Sequence, residues 1–222
     1  MSAKTMAEKI KGIMPALVTP LTQKEEVNVP VLHSLMEHLI KQGAQGFYIG
    51  GATGEGILMK REQREILATE GVKAAKGLPS IVHIASIQFD ESLALAKQAE
   101  AAGATAISAI PPLFYRYSKD DVFDYYTALA NAVSIPLMVY YNPFAGFNMD
   151  AGFAARLFEI DNVTSIKWTN IDYYEVIRLK NLTHGEMSII NGSDERIIAG
   201  LSAGADGGIG TTYHLMVPRS RT

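Results

Sequence analysis

One lysine in an apolar, β-branched run is the residue of this sequence best suited to covalent chemistry. The run ends at the polar residues Asn170 and Asp172 and reads Thr164-Ser165-Ile166-Lys167-Trp168-Thr169. This pattern predicts a buried strand with Lys167 near its carboxyl end. Apolar surroundings disfavour an ammonium, and a neutral amine in a dry pocket can form a Schiff base with a carbonyl substrate. A strand-end lysine with its ammonium in solvent is the common alternative.

A glycine-rich loop is suited to binding a small anion. Residues 51–55 read Gly-Ala-Thr-Gly-Glu and follow the second predicted strand. Backbone N–H groups, the hydroxyl of Thr53 and a nearby helix start can together hold a carboxylate. Phosphate is disfavoured because the Walker lysine pattern is absent. The same glycines also suit a tight strand-to-helix turn, and the sequence leaves both interpretations open.

Two further groups are candidates for proton transfer and substrate binding. Tyr140 ends the fifth predicted strand, where its hydroxyl either carries protons for a substrate bound to Lys167 or only packs. The side chain of Tyr141 is predicted to face the opposite way. Asp194 and Glu195 either bind substrate hydroxyls or are acidic residues at a helix start.

The elements that must position these residues alternate strictly between strand and helix. Eight apolar strand-like runs are separated by seven helix-like segments, which predicts one (β/α)8 TIM barrel spanning residues 1–222. An open doubly wound sheet is the alternative, but its glycine loop would follow the first strand. In a barrel the loops after the strands meet at one mouth, where distant residues converge. The predicted strands are 12–20, 45–49, 80–85, 104–110, 136–141, 164–169, 188–191 and 207–210.

The barrel is predicted to stop after its eighth strand. Residues 211–222 end in a polar stretch that does not resemble a packed helix, and the chain is shorter than the roughly 250 residues typical of the fold. The last barrel helix and any C-terminal helices are therefore expected to be missing. We expect a shortened product of a longer enzyme, with apolar barrel surface uncovered and stability below that of a full barrel.

Composition excludes several classes of function. The 222 residues carry a net charge of −3 and no basic block, which argues against nucleic-acid or anionic-membrane binding. The absence of cysteine excludes disulfides and thiolate catalysis. No signal peptide or membrane span is recognised, so a cytoplasmic location is expected. No metal site is predicted, because the five histidines are scattered and each is expected to pack or lie at the surface.

Three motifs together resemble one family. Residues 51–55, the run Tyr140-Tyr141-Asn142-Pro143 and the pair Ile166-Lys167 are similar to the N-acetylneuraminate lyase and dihydrodipicolinate synthase family of Schiff-base aldolases. The resemblance extends from Gly12 to about Met216. It implies a (β/α)8 barrel, a homo-oligomer that is commonly a tetramer, and no cofactor.

The resemblance also implies roles for individual residues. Lys167 corresponds to the lysine that condenses with the keto group of pyruvate or another 2-oxo acid, and Tyr140 to the proton-relay tyrosine. The backbone amides of Ala52 and Thr53 would hold the carboxylate, and the carbonyl of Ile209 would face the bound acid. The imine would then act as an electron sink while a C–C bond breaks to leave an enamine.

Within the family, residues 191–195 and 204–213 are similar to the N-acetylneuraminate lyase branch. That branch would cleave a sugar-derived 2-oxo acid such as N-acetylneuraminate, reversibly, to pyruvate and the aldehyde N-acetylmannosamine. The synthase branch has an arginine five residues after the tyrosine, where this chain has Ala145. Contacts to the polyhydroxy chain of the sugar acid would come from Thr169, Gly192, Asp194, Glu195 and Thr211.

Two departures from the family pattern concern hydroxyl groups. Ala52 replaces a hydroxyl residue, so one hydrogen bond of about 1 kcal/mol to the carboxylate is lost. Phe114 stands where the family often has a tyrosine that reaches into the neighbouring subunit, and Tyr115 is expected to take that relay role if the loop shifts by one residue. A sister aldolase or dehydratase acting on another 2-oxo sugar acid, suggested by Ala52 and Trp168, is an alternative. An inactive shortened homologue that binds partners is another.

Overall fold

Eight parallel strands form the barrel that the alternating pattern predicts. The computed structural model describes residues 10–217. The strands hydrogen-bond in the order β1-β8-β7-β6-β5-β4-β3-β2. Their bounds are β1 Gly12–Pro15, β2 Phe47–Ile49, β3 Ser80–His83, β4 Ala106–Ala109, β5 Leu137–Tyr141, β6 Val163–Trp168, β7 Ser188–Asn191 and β8 Gly207–Gly210.

Helices follow the strands around the outside of the barrel. Their bounds are α1 Val29–Gln42, α2 Arg61–Ala74, α3 Phe89–Ala101, α4 Lys119–Asn131, α5 Ala151–Leu157, α6 Tyr173–Leu182, α7 Ile197–Ser202 and α8 Tyr213–Met216. Their ends use local signals. Ser118 forms a capping box with Asp121, and Gly43 ends α1 in the left-handed conformation at φ 97°. Among the helices of residues 10–217, none is both long and apolar enough to cross a membrane.

The barrel closes between β1 and β2 through a short bridge. Ala16 pairs with Tyr48, and the N–H of Leu17 donates to the Tyr48 carbonyl at 2.9 Å. The first strand is shorter than predicted, because its ladder with β8 ends at the Pro15–Gly210 pair before the chain turns to β2.

Side-chain alternation separates an inner core from an outer one. The inner cluster comprises Ile10, Met14, Ala16, Tyr48, Ile81, Ala106, Met138, Tyr140, Ile190 and Ile209. The outer cluster is larger and lies between strands and helices, with Val82, Val139, Tyr141 and Trp168 among its members. Consecutive residues of one strand therefore have different surroundings, which decides which side chains can reach the mouth.

A short helix follows β8, where the sequence predicted none. The four residues of α8 place Tyr213 against Ile13 together with Val217, and all three side chains are buried. This apolar contact with β1 explains why residues 213–216 turn into a helix. The rest of the predicted polar end, residues 218–222, lies outside the described residues.

Candidate active site

Lys167 lies on the inner face of β6, close to its carboxyl end. It is the register partner of Tyr140 on β5, and its side chain is only 6% exposed. Its Nζ lies 4.0 Å from the ring centroid of Tyr140 and 4.8 Å from that of Tyr48. The solvent-facing alternative is therefore wrong, because strand alternation and the two aromatic rings keep the amine inside the barrel.

The charge around Lys167 differs from that around the other partly buried lysine, Lys180. The ammonium of Lys180 is paired with the carboxylate of Asp206 at 2.7 Å. Within residues 10–217, by contrast, no carboxylate lies within ion-pair distance of the Lys167 amine. Aromatic faces attract a cation more weakly than a buried carboxylate does. An amine held this way has no salt bridge to break before it attacks a carbonyl.

The two adjacent tyrosines of β5 face opposite sides, as predicted. Tyr140 belongs to the inner cluster and Tyr141 to the outer one. The Tyr141 ring packs against Trp168 with centroids 4.7 Å apart, and its hydroxyl accepts a bond from Asn170 at 3.3 Å. Trp168 thus faces away from the barrel interior. The sequence suggested Trp168 as support for the sister-enzyme alternative, but a side chain in this position cannot contact the substrate.

A pocket of about 240 Å³ opens beside Tyr140 at the mouth. We call it the Tyr140 pocket. Most of its lining is apolar, which suits water exclusion around a carbonyl carbon. It is lined by Gly51, Ala52, Ile57, His83, Ile110, Leu113, Tyr140, Asn142, Phe144 and Ala145.

The glycine-rich loop presents unused amides at the same pocket. The N–H groups of Gly54, Glu55 and Gly56 donate to carbonyls within the loop. Those of Ala52 and Thr53 have no acceptor in the part of the chain that the structure describes. Two adjacent free amides suit one carboxylate, which favours the anion-binding interpretation of the loop.

The glycines of this loop allow a close backbone approach. A Cβ at residue 56 would lie 2.0 Å from the Gly50 carbonyl oxygen, so no other residue fits there without a shift. A Cβ at residue 54 would lie 2.8 Å from the Leu17 carbonyl oxygen. Thr19 further fixes the loop by donating from its hydroxyl to the Gly54 carbonyl at 2.6 Å.

The predicted residues of β8 and its loop also reach the mouth. The hydroxyls of Thr53 and Thr211 lie 2.7 Å apart and are hydrogen-bonded, joining the loops after β2 and β8. Ile209 belongs to the inner cluster and pairs with Met14 of β1. The structure therefore brings Ile209 and Thr211 to the same end of the barrel as Thr53.

Thr169 and Gly192 are in close contact after β6 and β7. A Cβ at residue 192 would lie 1.8 Å from the Thr169 Oγ1, so glycine is required at this position. The N–H of Gly192 donates to the Trp168 carbonyl at 2.8 Å. The buried hydroxyl of Thr169 has no hydrogen-bond partner among the described residues.

The side chains of the two acidic candidates, Asp194 and Glu195, are held in place to different degrees. The carboxylate of Asp194 accepts the N–H of Thr212 at 2.5 Å. Burial raises the pKa of Asp194, but its bonds from Thr212 outweigh this and hold it below the ordinary value. The side chain of Glu195 is exposed and lies 3.8 Å from Arg196. Asp194 is therefore a fixed anion near the mouth, whereas the Glu195 carboxylate is exposed and pairs with Arg196.

The loop after β4 places both candidate relay residues in solvent. Phe114 is 86% exposed and Tyr115 is 70% exposed, and their rings pack edge to face with centroids 5.0 Å apart. Phe114 adopts φ 78°, which is uncommon for a residue with a side chain. Neither lines the Tyr140 pocket. The relay role of Tyr115 stays a prediction.

His83 is a site residue that the sequence analysis treated only as a scattered histidine. It shares the inner face of β3 with Ile81, and its ring lies 6.1 Å from that of Tyr140. Burial, and then the positive charges of Arg64 and Lys167, lower the pKa of His83 to about 3, and the backbone of Gly50 opposes this only in part. The alternation Ser80-Ile81-Val82-His83 was the signal that could have placed it inside.

Known proteins share the sequence pattern of nearly the whole chain. A model of the Dihydrodipicolinate synthetase family matches residues 9–222. The chain belongs to this family. It is similar to the N-acetylneuraminate lyase of Citrobacter koseri, with 34% identity over 214 residues, 95% of this chain and 72% of that protein.

Solved structures of the dihydrodipicolinate synthetase family agree with the barrel. The Clostridium difficile protein CdNal in complex with mannosamine gives a TM-score of 0.92 at 28% identity, covering 96% of this chain and 74% of that one. A dihydrodipicolinate synthase from Acinetobacter baumannii complexed with pyruvate gives 0.91 at 29% identity, covering 95% and 73%. The resemblance drawn from three motifs is confirmed, and these relatives support a Schiff-base aldolase of the lyase class.

Proposed function

We propose that this protein is a Schiff-base lyase that reversibly cleaves a sugar-derived 2-oxo acid, such as N-acetylneuraminate, to pyruvate and an aldehyde, here N-acetylmannosamine. The observation that carries the proposal is the Lys167 amine, buried between two tyrosine rings without a carboxylate partner among the described residues. The lyase relatives support the same reaction class.

The reaction begins with attack of the Lys167 amine on the keto carbon of the acid. Loss of water then gives an iminium ion, which withdraws electrons from the adjacent carbon. The Tyr48 hydroxyl below this site donates to Ser108 at 3.0 Å, and burial raises the pKa of Tyr48 well above its ordinary value. Tyr48 therefore stays a neutral phenol and contributes a ring face to the amine.

Cleavage requires a base for the hydroxyl on the carbon that becomes the aldehyde. We assign this role to Tyr140, whose ring is in contact with Lys167. Tyr140 acts as the phenolate, because its phenolic proton leaves with the hydroxyl that departs as water when the iminium forms. As the phenolate oxygen accepts the proton, the C–C bond breaks and its electron pair moves into the iminium, leaving an enamine. The same proton returns to the enamine carbon, and water then releases pyruvate and regenerates the amine.

The acid is held by its two ends. The free amides of Ala52 and Thr53 would bind the carboxylate beside Lys167, with the Ile209 carbonyl facing the acid. On the other side of the mouth, Asp194 is the fixed carboxylate suited to accept sugar hydroxyls. The remaining contacts to the polyhydroxy chain are assigned to Thr169, Gly192, Glu195 and Thr211.

Oligomeric state and location are further parts of the proposal. We infer a homo-oligomer, a tetramer as the family resemblance implies, acting in the cytoplasm and using no cofactor because the lysine itself supplies the electron sink. The exposed aromatic side chains of Phe114 and Tyr115 give the mouth an apolar edge that a neighbouring subunit would cover.

One observation favours a sister aldolase or dehydratase as a second candidate. Ala52 contributes no hydroxyl to the acid-binding loop, so the bound acid has one hydrogen bond fewer than in the family pattern.

A panel of 2-oxo sugar acids tests both candidates. Pyruvate release should be highest with N-acetylneuraminate and absent in Lys167→Arg. Lys180→Arg, at the ion-paired lysine, is the control and should keep the activity. Higher kcat/KM for a different sugar acid would select the sister enzyme instead, and release that survives Lys167→Arg would contradict both candidates.

A further inference from the structure

His83 is a buried polar side chain that the mechanism above does not use. Its side chain is 5% exposed, and its ring is perpendicular to that of Tyr140, with an interplanar angle of 82°. Its backbone is also fixed, because the buried guanidinium of Arg64 donates to the His83 carbonyl at 2.9 Å and to the Ala85 carbonyl at 3.0 Å. The imidazole therefore has a defined position at the inner end of β3.

Neither ring nitrogen of His83 has a hydrogen-bond partner in the described part of the chain. Buried polar atoms are nearly always paired, so an imidazole with two unpaired nitrogens needs an explanation. A neutral imidazole carries one donor and one acceptor nitrogen. The Gly50 backbone lies near the imidazole. The acceptor nitrogen of His83 is available to a hydroxyl group in the pocket.

The Tyr140 hydroxyl has few polar side chains around it in this pocket. Apart from His83, Tyr140 and Asn142, the side chains that line the pocket are apolar or absent. The amide oxygen of Asn142 already accepts the N–H of Phe144 at 3.1 Å. Ala52 offers no hydroxyl. Among the lining residues this leaves the imidazole of His83 as the buried side chain able to accept a hydrogen bond from the phenol.

We propose that His83 is a positioning residue that accepts a hydrogen bond from the Tyr140 hydroxyl, directly or through one oxygen of the bound acid, and so orients that hydroxyl for proton transfer. This inference rests on the proposed function only for the role of the proton transfer, because formation of the hydrogen bond itself requires no turnover. An apolar pocket strengthens such a bond because no bulk water competes for either group.

A double-mutant cycle tests whether His83 acts through Tyr140. We expect His83→Leu to lower kcat for cleavage by about tenfold or more with little change in KM, because general acid–base groups contribute 10²–10⁴-fold and a positioning group a part of that. In the Tyr140→Phe background, His83→Leu should change kcat less than about twofold. His83→Gln, which keeps an acceptor, should recover part of the rate. Equal losses in both backgrounds would overturn the proposal.

A second measurement needs neither activity nor a folded His83 variant. The ring nitrogen shifts of His83, followed by NMR on the whole chain with and without pyruvate, should move in Tyr140→Phe and stay unchanged in Tyr141→Phe. Both variants keep their rings, so the shift reports the hydroxyl alone. Unchanged shifts in Tyr140→Phe with and without pyruvate would contradict the contact, even if the protein cleaved no sugar acid at all.

Discussion

Tyr140 and Lys167 are register partners on adjacent parallel strands, and the lysine Nζ lies 4.0 Å from the tyrosine ring centroid. A proton carrier and a nucleophile fixed by the same ladder keep their relative geometry without help from a loop. Such preorganisation is the largest advantage that a rigid scaffold gives to a two-residue site.

The first prediction concerns this tyrosine. Removing the phenolic proton carrier in Tyr140→Phe should lower kcat for cleavage by about 10² or more, while the imine with pyruvate still forms. Tyr141→Phe is the matched control, because that ring faces the outer core and its hydroxyl accepts a hydrogen bond from Asn170. Steady-state kinetics give kcat for both variants and for the wild type. A loss in Tyr141→Phe as large as in Tyr140→Phe would remove the distinction between them.

The second prediction concerns the hydroxyl missing at residue 52. Ala52→Ser should tighten binding of the 2-oxo acid, because one added hydrogen bond of about 1 kcal/mol corresponds to roughly fivefold in KM. The side chain is exposed at the mouth, so the added atom has room. The inhibition constant of pyruvate, measured in competition with the sugar acid, should fall by a similar factor. An inhibition constant equal to that of the wild type would show that the carboxylate of the acid does not bind at residue 52.

The third prediction uses the close contact between Gly192 and Thr169. Gly192→Ala should push the loop after β7 away from Thr169 and lower kcat/KM for the sugar acid by about tenfold or more, since misplacing binding groups by an ångström is that costly. Pyruvate trapping on Lys167 should persist. Gly152→Ala in α5 is the control, because among the described residues its Cβ would come within 4 Å of one atom, a carboxylate oxygen of Asp150 at 3.3 Å. Equal kinetic losses in the two variants would contradict the assignment.

The fourth prediction concerns pH and stability. The pKa of His83 is lowered from 6.5 unfolded to about 3 folded, so between these values the unfolded chain binds the extra proton. His83 thus contributes stability that is complete above pH 6.5 and is lost as pH falls towards 3. The loss from this group at pH 5 is about 2 kcal/mol. Urea unfolding at pH 7 and 5 should show this difference in the wild type and a smaller one in His83→Gln. An equal drop in unfolding free energy from pH 7 to pH 5 in the wild type and in His83→Gln would contradict this role of His83.

The fifth prediction concerns Arg64. Arg64→Leu leaves the carbonyls of His83 and Ala85 without their donors and should cost about 3 kcal/mol of unfolding free energy. Arg61→Leu, on the same helix, removes only an exposed pair with Glu65 and should cost less than about 1 kcal/mol. Urea midpoints measure both, and a similar cost for the two would show that the buried donor is dispensable.

The sequence predicted the barrel because apolar runs and helical spacing alternate without interruption. It also predicted the opposite faces of Tyr140 and Tyr141, since a strand has a fixed period of two. It did not predict that Trp168 faces outward as a neighbour of Lys167, although the same rule applies. Nor did it predict that α8 covers part of the first strand. The four residues of α8 form a helix because Tyr213 packs against Ile13.

The side-chain contacts that form the site could not be predicted from the sequence, because they join residues far apart in the chain. The hydroxyl bond between Thr53 and Thr211 joins residues 158 positions apart, and no local pattern encodes it. The contact of His83 with the Tyr140 ring likewise depends on the curvature of the closed sheet. Motifs locate such residues on strand ends, whereas their distances follow only from the assembled barrel.

The most direct test of the Schiff-base mechanism is borohydride reduction in the presence of pyruvate, read by intact mass and peptide mapping. We predict one reduced pyruvate adduct per folded chain, located at Lys167, absent in Lys167→Arg and retained in Lys180→Arg. A folded chain that gains no adduct, or gains it at another lysine, would contradict the assignment of Lys167 as the nucleophile.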